Sequence, residues 1–155
     1  MPGVGRHQLT LRQVKGKGPM NEAIEALEQA GQRWNAGDLA GYLQLYDEDV
    51  ILHGYAGVEP GFANVRRFYE GFWLAFPGSR LIFEDVFASS DRVACRFVVE
   101  GVHAGPFLGL EATGRSISLP GITILRFRAG RCVERWSQAD FLGLMAQLGA
   151  VSLPG

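Results

Sequence analysis

The chain has 155 residues, 47% of them hydrophobic and 20% charged, with a formal net charge of −1. That length and composition suit one soluble globular domain, able to bury about two-thirds of its unfolded surface without disulfide or metal staples. The near-neutral balance gives no electrostatic footprint for nucleic acid or an anionic membrane surface, and no run of about 18 apolar residues exists to span a bilayer.

The charge is unevenly placed along the chain. Residues 1–19 carry Arg6, Arg12, Lys15 and Lys17 and no acid, so the other eleven of the fifteen basic side chains face all sixteen acidic ones. Such a block reads as a flexible basic extension, and Met20, directly before a helix start, reads equally as the original initiator. Gly, Gln and Arg interrupt any apolar run there, so it does not read as a signal peptide. The folded unit is placed at residues 20–155. Cys95 and Cys132 form no CxxC pair and lie in strand-like runs, which suits buried small hydrophobes in a reducing cytoplasm.

Asn21 is expected to cap the first helix, with Ile24, Leu27, Ala30 and Trp34 at helical spacing until Gly37. Asp38 caps a shorter second helix with Leu39, Tyr42, Leu43 and Tyr46 inward. Val50 to His53 reads as a short strand. A third helix carries Phe62, Val65, Phe68, Tyr69, Phe72 and Phe76 on one side and stops at Pro77-Gly78. From Arg80 the period becomes two: strands are expected over residues 80–88, 93–100, 116–126 and 132–138, and a final amphipathic helix from Phe141 to Leu148. Helices followed by an antiparallel meander argue an α+β fold, with a small-molecule pocket between helices and sheet.

The segments "HGYAG", "DRVACRFVVEGVHAGPFLGLEATGRSI", "GITILRFRAGRCVERW" and "DFLGLMAQLG" together resemble the SnoaL-like polyketide cyclases. These belong to the nuclear transport factor two-like superfamily, and the resemblance covers roughly residues 21–150. It implies a cone-shaped barrel of N-terminal helices packed on a curved, mainly antiparallel sheet. It also implies an intramolecular aldol closure on a hydrophobic, polyketide-like carbonyl compound, with no metal or cofactor, in a homodimer paired through the sheet's outer face. Asp140 matches the family's proton-accepting aspartate, and His53 and His103 match polar positions near its pocket. Ala139 stands where the family often has an aromatic.

If the last strand keeps its alternation, Trp136, Gln138 and Asp140 share a face, and a pocket on that side offers an indole, an amide and a carboxylate to a carbonyl compound. Yet an Asp directly before an apolar helix is also an ordinary N-cap, and a carboxylate holding backbone N–H groups is a weaker base. His53 reads as a strand-end structural residue or a catalytic one. His103 reads as an exposed loop residue or a donor to an enolate oxygen. Tyr42, Tyr46 and Tyr69 lie on helix faces that should meet the sheet, some reaching the pocket. Arg96 and Glu100 share a strand face: an ion pair is the plainer reading, with Arg96 as a substrate contact or Glu100 as a base the sharper ones. The three histidines show no metal-site spacing.

Three rivals follow. A limonene-epoxide-hydrolase-like relay needs an Arg-x-Asp, which does not occur. A ketosteroid-isomerase-like shuttle needs a base plus a buried Tyr and is compatible. A non-catalytic binder of hydrophobic small molecules fits Trp34, Trp73 and Trp136 equally well.

Overall fold

The structure, a computed structural model, describes residues 18–155; the basic extension read from the sequence lies, up to residue 17, outside the described residues. The elements run α1 (Pro19–Asn35), α2 (Leu39–Leu43), β1 (Tyr46–His53), α3 (Phe62–Ala75), β2 (Arg80–Ser89), β3 (Arg92–Val102), β4 (Ser116–Arg128), β5 (Arg131–Ala139) and α4 (Phe141–Gln147). This is an α+β fold of four helices on one five-stranded sheet.

Helix α1 starts earlier than expected. Gly18 holds the N-cap position and a proline follows in the first turn, where a missing N–H costs nothing, so Asn21 is not the cap. Ala23, Leu27, Ala30 and Trp34 form the buried stripe. At its end the Asn35 amide pairs with the Leu81 backbone, donating to the carbonyl and accepting from the N–H, both at 2.8 Å, and ties α1 to β2. Asp38 caps α2 as its spacing indicates: Oδ1 accepts the Gly41 N–H at 2.8 Å. In α3, Val65, Tyr69, Phe72 and Ala75 form the buried face.

The strand order is β1-β5-β4-β3-β2. Strands β2 to β5 form an antiparallel meander, and β1 joins β5 in parallel at the far edge. A closed barrel requires the two edge strands to pair with each other. Strands β1 and β2 do not, so the expected α+β arrangement of helices on a mainly antiparallel sheet is present with the sheet left open. Helix α1 lies against β2 and β3 and α3 against β1, so helices fill the space a closing pair would take.

One irregularity decides what faces the helices. Arg126 pairs with Glu134 and Phe127 with Cys132, which leaves Val133 as an extra, bulged residue. A bulge reverses the parity of every residue beyond it. Cys132 is inward, but after Val133 the inward positions are Arg135, Ser137 and Ala139, not Trp136 and Gln138. Helix α4 is held beyond β5 by buried Leu144 and Leu148, and by the Gln147 amide pairing with the Ser118 backbone.

Candidate functional site

Between the helices and the sheet lies a cavity of about 60 Å³. Trp34, Phe68, Phe72, Phe97 and Leu119 make its walls apolar; Tyr42, Tyr55, Tyr69, Arg135 and Ser137 are the polar side chains that break them, and Ala139 and Phe141 lie at one end. Two glycines make this arrangement possible. A Cβ on Gly121 would stand 2.4 Å from Phe97 Cζ, so only glycine leaves room for that ring. Gly54, at φ +83°, passes so close to β5 that a Cβ would stand 1.9 Å from the Ser137 carbonyl oxygen. The chain can then drop Tyr55 over the sheet.

Arg135 is the centre of the site and is only 7% exposed. Its Nε donates to Thr123 Oγ1 at 2.8 Å, and Nη1 donates to the hydroxyls of Tyr46 (2.5 Å), Tyr69 (3.1 Å) and Tyr42 (3.3 Å). The rings of Tyr55 and Phe97 flank it, with centroids 5.9 and 6.0 Å from the guanidinium carbon. The hydroxyls also bond to one another: Tyr42 to Tyr46, Tyr46 to Tyr69, Tyr69 to Tyr55, Tyr55 to Ser137 and Ser137 to Thr123. Giving the Thr123 proton to the Trp136 carbonyl makes Ser137 the donor to Thr123 and Tyr55 the donor to Ser137. The hydroxyl chain is then satisfied internally. Nη2 of Arg135 has no hydrogen-bond partner among the described residues, and it is not among their sealed-in unpartnered atoms, so it opens to the cavity.

The chain's four tyrosines are all in this cluster. Burial raises the pKa of each, and the Arg135 charge offsets this only in part, so they are neutral phenols at ordinary pH. Burial also works against the charge on Arg135, but the surrounding phenols outweigh it and hold its pKa above the usual arginine value. Arg135 is a buried cation among neutral hydroxyls. Cys95 and Cys132 are free and buried, and burial pushes each thiol up to about 12.

Tyr42 and Tyr69 line the cavity, and Tyr46 stands behind them on Arg135. Trp34 and Ala139 line it as well, whereas Trp136, Gln138, His53, Arg96, His103 and Asp140 do not. Trp136 and Gln138 lie on the outer sheet face, turned there by the Val133 bulge. His53 is beside Trp136, its ring stacked at 5.2 Å and its Nε2 2.8 Å from Glu134 Oε2; that bond is the main reason the Glu134 carboxyl is held below its usual range. Arg96 is also on the outer face and pairs with Glu84 and Asp85. His103 is not an exposed loop residue: it is fully buried, its Nδ1 accepts the Thr113 N–H at 3.1 Å, and its Nε2 has no partner among the described residues. It pins the loop from His103 to Gly114, away from the cavity lining. Asp140 is exposed, and its Oδ1 accepts the Gly143 N–H at 2.8 Å as the N-cap of α4. It stands between two lining residues, Ala139 and Phe141.

Sequence reasoning missed Arg135, Tyr55 and Ser137. Arg135 and Ser137 share a parity along the strand, which would have grouped them had the bulge been known.

A family model described as SnoaL-like polyketide cyclase matches residues 24–148. No match was found among curated proteins. Among solved structures the chain is similar to AclR, "a putative hydroxylase from Streptomyces galilaeus": TM-score 0.76, 30% identity, 86% of this chain and 99% of that one covered. It is similar to TsrD from Streptomyces laurentii, with TM-score 0.75, 25% identity and coverage of 84% and 96%. It is also similar to IdmH, "a putative polyketide cyclase from Streptomyces antibioticus", with TM-score 0.68, 28% identity and coverage of 82% and 98%. With four helices on an open mixed sheet and the family match spanning most of its length, this chain belongs to the SnoaL-like polyketide cyclase family.

Proposed function

We propose that the protein is an acid/base enzyme of the cyclase type that needs no cofactor and closes a ring in a hydrophobic carbonyl compound bound in the Arg135 cavity. The observation that carries this is the open Nη2 edge of Arg135 in an otherwise apolar cavity. A carbonyl oxygen set against Nη2 gains charge as a proton leaves the neighbouring carbon. A fixed cation with little water around it stabilises that developing enolate strongly. The enolate carbon then attacks a second carbonyl of the same molecule, and the new alkoxide takes up a proton.

In this reading Asp140 accepts the carbon-bound proton. It adjoins two lining residues, and only its Oδ1 is used by the helix cap, which leaves Oδ2 for the proton. Isomerase chemistry uses the same groups and differs only in returning the proton to another carbon of the substrate. Product analysis separates the two. The exposed Phe87, Ile122 and Ile124 of the outer sheet face support the homodimer that the family resemblance implies.

The test is turnover of a panel of polyketide-like and β-dicarbonyl compounds. Arg135→Met is expected to lose about 10²- to 10³-fold, the usual loss for one oxyanion donor. Asp140→Asn is expected to lose about 10²- to 10⁴-fold, the usual worth of a positioned base. Equal turnover by wild type and Asp140→Asn removes Asp140 from the mechanism. Tight binding with no turnover of any compound leaves a binding protein instead.

A further inference from the structure

We propose that the natural ligand of this cavity carries an anionic oxygen before any reaction, as a carboxylate or an ionised 1,3-dicarbonyl on a flat apolar body, and that Arg135 Nη2 holds it. This rests on the reading that the cavity is the substrate site, but it concerns binding in the ground state and not catalysis.

The first support is that, among the described residues, Arg135 is buried without a carboxylate, whereas the arginines that lack one elsewhere, such as Arg115 on the Gln147 carbonyl, are exposed to water. Arg33, Arg66, Arg92, Arg96 and Arg126 are exposed or half-buried, and each has a carboxylate partner, with Asp38, Glu70, Asp91, Glu84 and Asp85, and Glu134 respectively. Exposed charges need such partners least, because water already solvates them. Arg135 is the buried arginine among the described residues, and its hydrogen bonds go only to hydroxyls. A buried charge without an opposite charge is costly, and chains rarely keep one without a use.

The surroundings cannot supply the missing charge themselves. The phenols around Arg135 are kept protonated by burial. No carboxylate among the described residues lines the cavity. The guanidinium also cannot lose its proton at working pH, so the site stays cationic.

Geometry then sets the shape of the ligand. Arg135, whose Nη2 has no hydrogen-bond partner among the described residues, lines a cavity walled by the aromatic side chains of Trp34, Phe68, Phe72 and Phe97. Such a slot accepts a planar ring or dicarbonyl plane with its charged end inward. Carboxylate and enolate share the planar, charge-delocalised oxygen that a guanidinium edge prefers. A neutral amide or alcohol of the same shape leaves the buried charge unmatched.

The experiment measures binding without turnover, by quenching of tryptophan fluorescence, for benzoate, benzamide and benzoylacetone. Benzoate is expected to bind at least about tenfold more tightly than benzamide at neutral pH, since a charge-assisted bond replaces a neutral one. Arg135→Met is expected to abolish that preference. The comparison of probes on the wild type stands alone if the variant does not fold. Benzoylacetone separates the two sources. Growth of its enolate absorbance band on binding, at a pH where the free compound is neutral, assigns the enolate. A benzoate preference without that band assigns the carboxylate. Equal binding of benzoate and benzamide, tighter binding of benzamide, or no binding of either anion overturns the inference. An inactive protein that still prefers benzoate upholds it while the proposed enzyme activity fails. An active protein with no anion preference does the reverse.

Discussion

The hydroxyls of Tyr55 and Ser137 lie 3.1 Å apart although 82 residues separate them in the chain. Gly54 is what brings them together. It takes a left-handed conformation and passes against the Ser137 backbone at a distance no Cβ could tolerate. The same contact turns Tyr55 onto Tyr69 at 3.3 Å and closes the hydroxyl chain around Arg135.

Gly54→Ala is therefore expected to cost more than an ordinary surface change. The strained φ alone costs about 1–3 kcal/mol, and the clash with the Ser137 carbonyl adds to it. Urea unfolding reads the loss, and Tyr55 should lose its contact with Ser137 in a structure of the variant. Unchanged stability would mean that the turn does not hold the loop in place.

All four tyrosines, three buried and Tyr55 half-buried, sit in one cluster with raised pKa values, which makes a direct optical prediction. Titration of the native protein should show no phenolate absorbance near pH 10, about the ordinary tyrosine value, whereas the unfolded chain titrates there. The sign for stability follows. Below about pH 10 both states hold these protons, and the raised native values carry no penalty. Above it the unfolded chain releases protons that the native cluster keeps, so stability falls as pH rises towards the native values. A native titration with a normal tyrosine step would place the phenols in water.

Asp140 is the N-cap of α4, and two substitutions separate the cap from the chemistry. Asn caps about as well as Asp, so Asp140→Asn should change stability by only a few tenths of a kcal/mol, while Asp140→Ala should lose about 1 kcal/mol. If Asp140 is the base, both variants lose turnover to a similar degree. Turnover that tracks stability instead, spared in Asn and reduced in Ala, assigns Asp140 to the cap alone.

Arg135→Met gives the opposite pattern. Its partners are neutral phenols that bond one another, so removing the cation strands no opposite charge. Replacing buried charge with well-packed apolar atoms is commonly neutral or stabilising, by up to about 4 kcal/mol. Denaturant unfolding should show stability equal to wild type or higher, alongside lost binding. A loss above about 3 kcal/mol would make Arg135 a structural tie and remove the reason to see it as held for a ligand.

Much of the frame was legible in the sequence because it rests on local rules. The 3.6-residue stripe of α1, the Asp38 cap and the two-residue alternation of β4 each follow from nearby residues. The family followed from longer segments. The interior of the site did not, because it hangs on one bulged residue. Val133 shifts the phase of β5, so the alternation that grouped Trp136, Gln138 and Asp140 grouped the outward face, and Arg135 and Ser137 hold the inward one. Nothing local marks that bulge, since it arises in the pairing with β4. The α+β layering of helices on a mainly antiparallel sheet was legible as well, and what the sequence leaves open is only that β1 and β2 stay unpaired at the two edges. His53 and His103 carry ordinary structural bonds, to Glu134 and to Thr113, that their sequence neighbours do not announce.

The most direct test of the account is a crystal structure of the protein soaked with benzoylacetone. The account predicts one oxygen of the dicarbonyl within about 3.1 Å of Arg135 Nη2, the distance expected of a donor aimed at a developing oxyanion, with the phenyl ring among Phe68, Phe72 and Phe97. A ligand seated instead on the outer sheet face beside His53 and Trp136, with the Arg135 cavity empty, would contradict it.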